Sequence, residues 1–125
     1  MIKAISNFKA AGVDSRVAAI CGDAGEEILK LQKDSFDLIF LDCAKVQYIK
    51  YLPALKELLK DGGTLVADDI LLFGYVTGEV EVPKKRKMLV EHIKEYIAAV
   101  KADKDFTTSI INAGNGLAVS VKGNK

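Results

Sequence analysis

"FDLIFLDCAK" (residues 36–45) is a near-continuous apolar run that ends in acid, and "GGTLVADDI" (residues 62–70) repeats the pattern. A run such as Phe36 to Leu41 predicts a strand buried on both faces, as in a parallel sheet. Asp42 closes the first run; Asp68 and Asp69 close the second. In open α/β sheets ligands bind beyond the carboxyl ends of the strands. The three carboxylates therefore stand on the rim where a site is expected, and so does Asp23 after an earlier candidate strand. One right-handed crossover makes the two runs neighbours. Adjacent carboxylates repel, and a shared proton, a basic partner or a bound cation relieves the repulsion. All-oxygen donors suit Mg²⁺ or Ca²⁺ rather than zinc. Helix capping, a common duty of Asp, competes with the cation reading and is the stronger of the two on spacing alone.

Outward from these runs, the chain alternates strand and helix. Ile2, Ile5 and Phe8 predict a short amphipathic helix stopped by Gly12. Arg16 to Cys21 reads as a strand, turned by Gly22-Asp23-Ala24 into a helix from about Gly25 to Lys33. Tyr48, Tyr51, Leu52, Leu55, Leu58 and Leu59 follow a helical period, so a helix is expected to run to about Lys60, with a kink or a fresh first turn at Pro53. Gly62-Gly63 should end it and open a strand from Thr64 to Ala67. A long loop from Ile70 to Pro83, with Gly74 and Gly78, leads to a helix from Lys84 to Ala102. Its apolar stripe is Leu89, Ile93, Tyr96, Ile97 and Val100. Strands Phe106 to Asn112 and Leu117 to Val121 flank "AGNG", where Asn115-Gly116 signals a type I′ hairpin. The expected fold is a single domain over residues 1–125: a mostly parallel α/β sheet with a C-terminal antiparallel hairpin strand.

Composition narrows the class. Of 125 residues, 50% are hydrophobic and 28% charged, as in ordinary globular domains. The net charge of +1 gives no general field for nucleic acid. No run reaches the length of a membrane span, and the first residues lack the apolar core of a signal peptide. Cys21 and Cys43 read as buried, reduced thiols, so a cytoplasmic location is expected. "PKKRK" (residues 83–87) crowds four cations at a helix N-terminus, against the macrodipole. A solvated turn balanced by Glu79 and Glu81 is the preferred reading. An anionic substrate such as a CoA ester, or a nuclear-localisation run, are the others.

"GDA" (22–24), "DLIFLDCAKVQYIKYL" (37–52), "LLKDGGTLVADDILLFGYV" (58–76) and "NGLAVSVK" (115–122) together resemble the cation-dependent O-methyltransferases of the catechol and caffeoyl-CoA type. The resemblance covers nearly the whole chain in the family's order. It implies a Rossmann-like methyltransferase sheet and methyl transfer from S-adenosylmethionine to a catechol-like or phenolic hydroxyl of a small molecule. It implies that Asp42, Asp68 and Asp69 hold Mg²⁺ or Ca²⁺, although Asp69 stands where the family usually has Asn. It makes Lys45 the general base; a divalent cation lowers the pKa of ammonium and phenol groups beside it. It makes Gly22, Asp23 and Ala24 part of the adenine pocket, with Asp42 and Tyr48 nearby. Core packing is the other reading of Tyr48.

The chain also departs from the family. The glycine-rich cofactor loop is not found: the ten glycines never form G-x-G-x-x-G. By the resemblance, residue 1 falls in the helix before the third family strand, so the first two strands are expected to be missing. Their loss leaves strand 36–41 with a bare edge, which invites pairing. Either strand 16–21 pairs there, giving the order 16–21, 36–41, 63–68, 117–121, 106–112 with 106–112 reversed or in a hairpin with 117–121, or a second copy covers the edge as a homodimer. Three functional readings follow: a truncated O-methyltransferase inactive on its own, a stable natural or redesigned α/β module without catalysis, and a phosphoacceptor receiver. Receivers carry their acidic pair after the first strand, and none is there.

Overall fold

A computed structural model of the protein describes residues 2–71, 76–78 and 81–123. The chain forms two compact units, residues 1–30 and 31–125. The first holds helix α1 (Ile2–Ala10), a 3₁₀ turn (Asp14–Arg16) and a single turn of helix, α2 (Ala24–Glu27), which tightens into 3₁₀ geometry over Ile28–Lys30. Gly12, with φ of 73°, ends α1 as expected. The strand expected at 16–21 does not form. Ala18 and Ala19 have little surface to bury, and Val17 and Ile20 are left 39% and 57% exposed, so nothing offsets the entropy of ordering them. The helix expected to reach Lys33 is correspondingly short.

The second unit is a sheet with two helices. β1 (Phe36–Leu41) is followed by α3 (Lys45–Leu58), β2 (Leu59–Asp68), α4 (Lys87–Ala102), β3 (Phe106–Ile111) and β4 (Leu117–Lys122). The sheet order is β1-β2-β4-β3. β1 and β2 are parallel, and β4 is antiparallel to both β2 and β3. The reversed strand is therefore β4 rather than 106–112. β4 lies between two strands of like direction, because a short hairpin returns the chain after β3.

Inward positions define one buried face. Leu41 pairs with Ala67, Leu65 with Ser120, and Ala67 with Ala118. Tyr48, Leu52, Leu55 and Leu58 of α3 pack here with Val90, Ile93, Tyr96 and Val100 of α4. Val90 thus takes the buried place expected for Leu89. Ser120, fully buried on this face, shares a 2.9 Å hydrogen bond with Thr108. The opposite face is open at the edge strand: Leu38 and Phe40 are 61% and 58% exposed, so β1 is not buried on both faces. The two helices of this unit both cover the other side.

α3 continues through Pro53 and stops at Leu58. Leu59 is already extended, and β2 starts there, ahead of the two glycines rather than after them. Phe36 pairs with Leu59 and Leu38 with Thr64, so the extra residues of β2 bulge out between them. A Cβ on Gly63 would lie 2.8 Å from the Lys60 carbonyl oxygen, which explains a glycine inside this strand. The basic run forms an exposed 3₁₀ turn (Lys84–Arg86) ahead of α4. Gly74 and Glu79 of the preceding loop lie outside the described residues.

Candidate metal and proton-transfer site

The parallel register that sets Leu41 beside Ala67 also sets the next residues, Asp42 and Asp68, side by side at the carboxyl ends of β1 and β2. Asp69 follows in the left-handed region, with φ of 56°. Asp is among the few non-glycine residues that tolerate this conformation, because its short side chain hydrogen-bonds locally. Asp68 Oδ1 accepts from the Asp69 backbone N–H at 2.8 Å. Each of Asp42, Asp68 and Asp69 offers a carboxylate oxygen, and these oxygens lie within 4.8 Å of one another. Three hard oxygen donors converging at a strand-end rim fit a divalent cation of the Mg²⁺ or Ca²⁺ kind.

Two further segments fix Asp69. Ile70 N–H donates to the Gly116 carbonyl at 3.1 Å, and Leu71 N–H to the Asn115 carbonyl at 2.7 Å, extending the β2–β4 ladder into the loops. Asn115 Nδ2 donates to Asp69 Oδ1 at 3.3 Å. The hairpin that carries Asn115 is not the expected type I′ turn. Gly116 N–H closes it onto the Ala113 carbonyl, and positive φ falls on Gly114 and Gly116 rather than on Asn115. A side chain at Gly116 would collide with Leu71, so the approach of the two loops demands glycine there.

Lys45, in the first turn of α3, points its ammonium into the same corner. Nζ lies 2.7 Å from the Tyr48 hydroxyl, 3.4 Å from the Asp68 carbonyl oxygen and 3.6 Å from Asp69 Oδ2. Its side chain is only 10% exposed, and Nζ sits 4.6 Å from the Tyr48 ring centroid. Tyr48 is fully buried and packs edge-on against Tyr96 at 5.4 Å between centroids. Its hydroxyl can donate to the Asp68 carbonyl at 3.0 Å or the Leu41 carbonyl at 3.2 Å while accepting from Lys45. Burial, followed by the negative partners Cys43, Asp42, Asp69 and Asp68, pushes the Tyr48 phenol well above its ordinary range. Tyr48 is therefore a neutral post that joins both strand ends to Lys45. The i, i+3 spacing of Lys45 and Tyr48 on one helix is the sequence signal for this contact.

The other expected site residues lie in the first unit. Asp23 caps α2, its carboxylate accepting from Glu26 N–H at 3.0 Å. Gly22 precedes it, and Ala24 opens α2. The cysteines differ from expectation: Cys21 is exposed and Cys43 half-buried, both as free thiols. Burial pushes the Cys43 thiol up, outweighing the Lys45 charge. A hollow of about 530 Å³ between Asp61, Thr107, Val121 and Lys122 lies at the other end of β4 and shares no residue with the carboxylate corner.

A sequence profile of the O-methyltransferase family matches residues 2–123. The caffeoyl-CoA O-methyltransferase of Populus kitakamiensis is 30% identical over 115 residues, which are 87% of this chain and 49% of that protein. A Staphylococcus aureus crystal structure described as a caffeoyl-CoA O-methyltransferase superposes with a TM-score of 0.84 at 30% identity, covering 96% of this chain and 58% of that one. A Podospora anserina methyltransferase solved with S-adenosylhomocysteine has a TM-score of 0.80 at 23% identity and shares the fold, over 95% of this chain and 54% of its own. The chain spans about half the length of the curated relatives it matches. No helix among the described residues is long and apolar enough to cross a membrane. The profile match from end to end places the chain in the O-methyltransferase family.

Proposed function

We propose that this chain is the metal-binding and proton-accepting portion of an S-adenosylmethionine-dependent O-methyltransferase acting on a catechol-like or phenolic hydroxyl. The observation that carries the reading is the meeting of Asp42, Asp68 and Asp69, with oxygens within 4.8 Å, beside the ammonium of Lys45. Asp42, Asp68 and Asp69 would hold Mg²⁺ or Ca²⁺. Such a cation supplies Lewis acidity, making a phenol easier to deprotonate. Lys45, as the neutral amine, would take the hydroxyl proton at Nζ as the oxygen attacks the methyl group and the thioether leaves, and Tyr48 holds Nζ in place for it. By the family resemblance Asp42 borders the cofactor; Tyr48, being buried, contributes by packing.

Calorimetric titration with Mg²⁺ is the direct test of the cation corner; S-adenosylmethionine is expected to bind these residues alone weakly or not at all. A melting temperature that rises in millimolar Ca²⁺, and no longer rises in Asp42→Asn, supports the cation site. Identical melting in Ca²⁺ and in chelator would sink it.

The exposure of Leu38 and Phe40 on the edge strand favours a second reading: an α/β module without catalysis that self-associates as a homodimer through β1. Divalent-cation binding that is lost in Asp42→Asn separates the two, since a module without catalysis makes no demand for a cation at this corner.

A further inference from the structure

Asp69 differs from its two partners in one respect: both of its carboxylate oxygens already face a donor from the protein. Oδ1 accepts from Asn115 at 3.3 Å, and Oδ2 faces Lys45 Nζ at 3.6 Å. We propose that Lys45 is the resident counter-ion of Asp69, that the lysine and a divalent cation compete for this carboxylate, and that cation loading frees the lysine. The proposal rests on the cation reading of the site and deepens it.

The geometry decides which partner yields. Asp69 has little freedom: its backbone is left-handed, and hydrogen bonds from Ile70 and Leu71 pin the residues after it to the 115–116 loop. Lys45 reaches it on a flexible four-carbon stem. When the ammonium gives up Asp69, it keeps Tyr48 at 2.7 Å and the Asp68 carbonyl at 3.4 Å. Release therefore leaves the lysine at the site and unpairs it from a carboxylate. Competition thus couples the arrival of the cation to the release of Lys45 from its carboxylate partner.

Mn²⁺ binding, followed by loss of the free-ion paramagnetic resonance signal, tests this on wild type, Lys45→Met, Asp69→Asn and the double variant. Removing the competitor should tighten Mn²⁺ binding by about threefold or more, the scale of a partly exposed ion pair. In the Asp69→Asn background the same change should do little. Equal tightening in both backgrounds means that Lys45 acts only through its general charge, and this overturns the proposal; so does no tightening at all. Wild type that binds Mn²⁺ and loses it in Asp42→Asn, yet is indifferent to Lys45→Met, refutes the competition and leaves the cation site standing. Failure of every chain to bind Mn²⁺ refutes both. Should Lys45→Met not fold, the Lys45 ε-carbon resonance in wild type decides: it should move on adding Mg²⁺, and a resonance unmoved at saturation overturns the proposal.

Discussion

Lys56 Nζ lies 2.9 Å from both carboxylate oxygens of Asp103 and 2.8 Å from Asp105 Oδ2, so one ammonium fastens the last turns of α3 to the segment joining α4 and β3. Burial pushes Asp103 up. The Lys56 hydrogen bond, the Asp105 N–H and the Lys56 charge together outweigh it, and the group ends below the ordinary carboxylate range. The hydrogen bonds that Lys56 donates to Asp105 and Asp103 raise it in turn. A depressed acid stabilises the fold above its unfolded value of about 3.9, and that share is lost as pH falls through the folded value. A raised base stabilises below its unfolded value of about 10.4, and that share is lost as pH rises through the folded one. Lys56→Met should cost about 1–2 kcal/mol at pH 7. Urea unfolding at pH 7 and pH 3 checks this: the gap between variant and wild type should narrow in acid, and a gap that stays constant contradicts the assignment.

Tyr96 carries a different signature. Its side chain is fully buried, and its hydroxyl has no hydrogen-bond partner among the described residues. An unmet buried hydroxyl loses its water contacts for nothing in return. Tyr96→Phe should therefore be neutral or stabilising by up to about 1 kcal/mol. The ring keeps its edge-on contact with Tyr48, so a large loss of stability in denaturant would mean that the hydroxyl is satisfied after all.

The exposed edge of the sheet makes a prediction about assembly. Among the described residues β1 pairs only with β2, and Leu38 and Phe40 stand out from it. An apolar edge strand templates pairing with another chain, and charge on such an edge blocks it. The purified chain is expected to be a dimer by light scattering, and Phe40→Lys to be a monomer. A monomeric wild type of unchanged fold would contradict this.

The sequence made the corner of Asp42 and Asp68 legible because each closes an apolar run, and one crossover helix leaves little choice but to align the runs. Lys45 drew notice through the family resemblance, whereas its contact with Tyr48 follows from helical spacing. Other features depend on partners far along the chain. Residues 16–21 carry a strand-like pattern, yet the pattern holds too little surface to stay extended unpaired. The end of α3 is set by Leu59 entering the ladder opposite Phe36, and no local glycine signal reports that. The direction of β4 follows from the hairpin closing on Ala113 and from its pairing with β2, a choice that Asn115-Gly116 alone does not encode.

The last prediction concerns turnover. Methyl transfer requires the sulfonium to be held in line with the acceptor oxygen, and positioning supplies much of the rate. These 125 residues contain the carboxylate corner and Lys45, but their ten glycines include no G-x-G-x-x-G cradle. In the family that loop, with an acidic residue after the second strand, grips the cofactor. Each charge-assisted hydrogen bond that is not made forfeits about 1.5–3 kcal/mol, and several together lower affinity by orders of magnitude. Residues 1–125 alone are thus expected to bind S-adenosylmethionine weakly or not at all and to leave a catechol unmethylated, while still binding divalent cation. Incubating the pure chain with cofactor, Mg²⁺ and catechol, and measuring S-adenosylhomocysteine release, decides the point. Release that disappears in Lys45→Ala would show that the corner suffices for catalysis and that cofactor positioning comes from residues not credited with it.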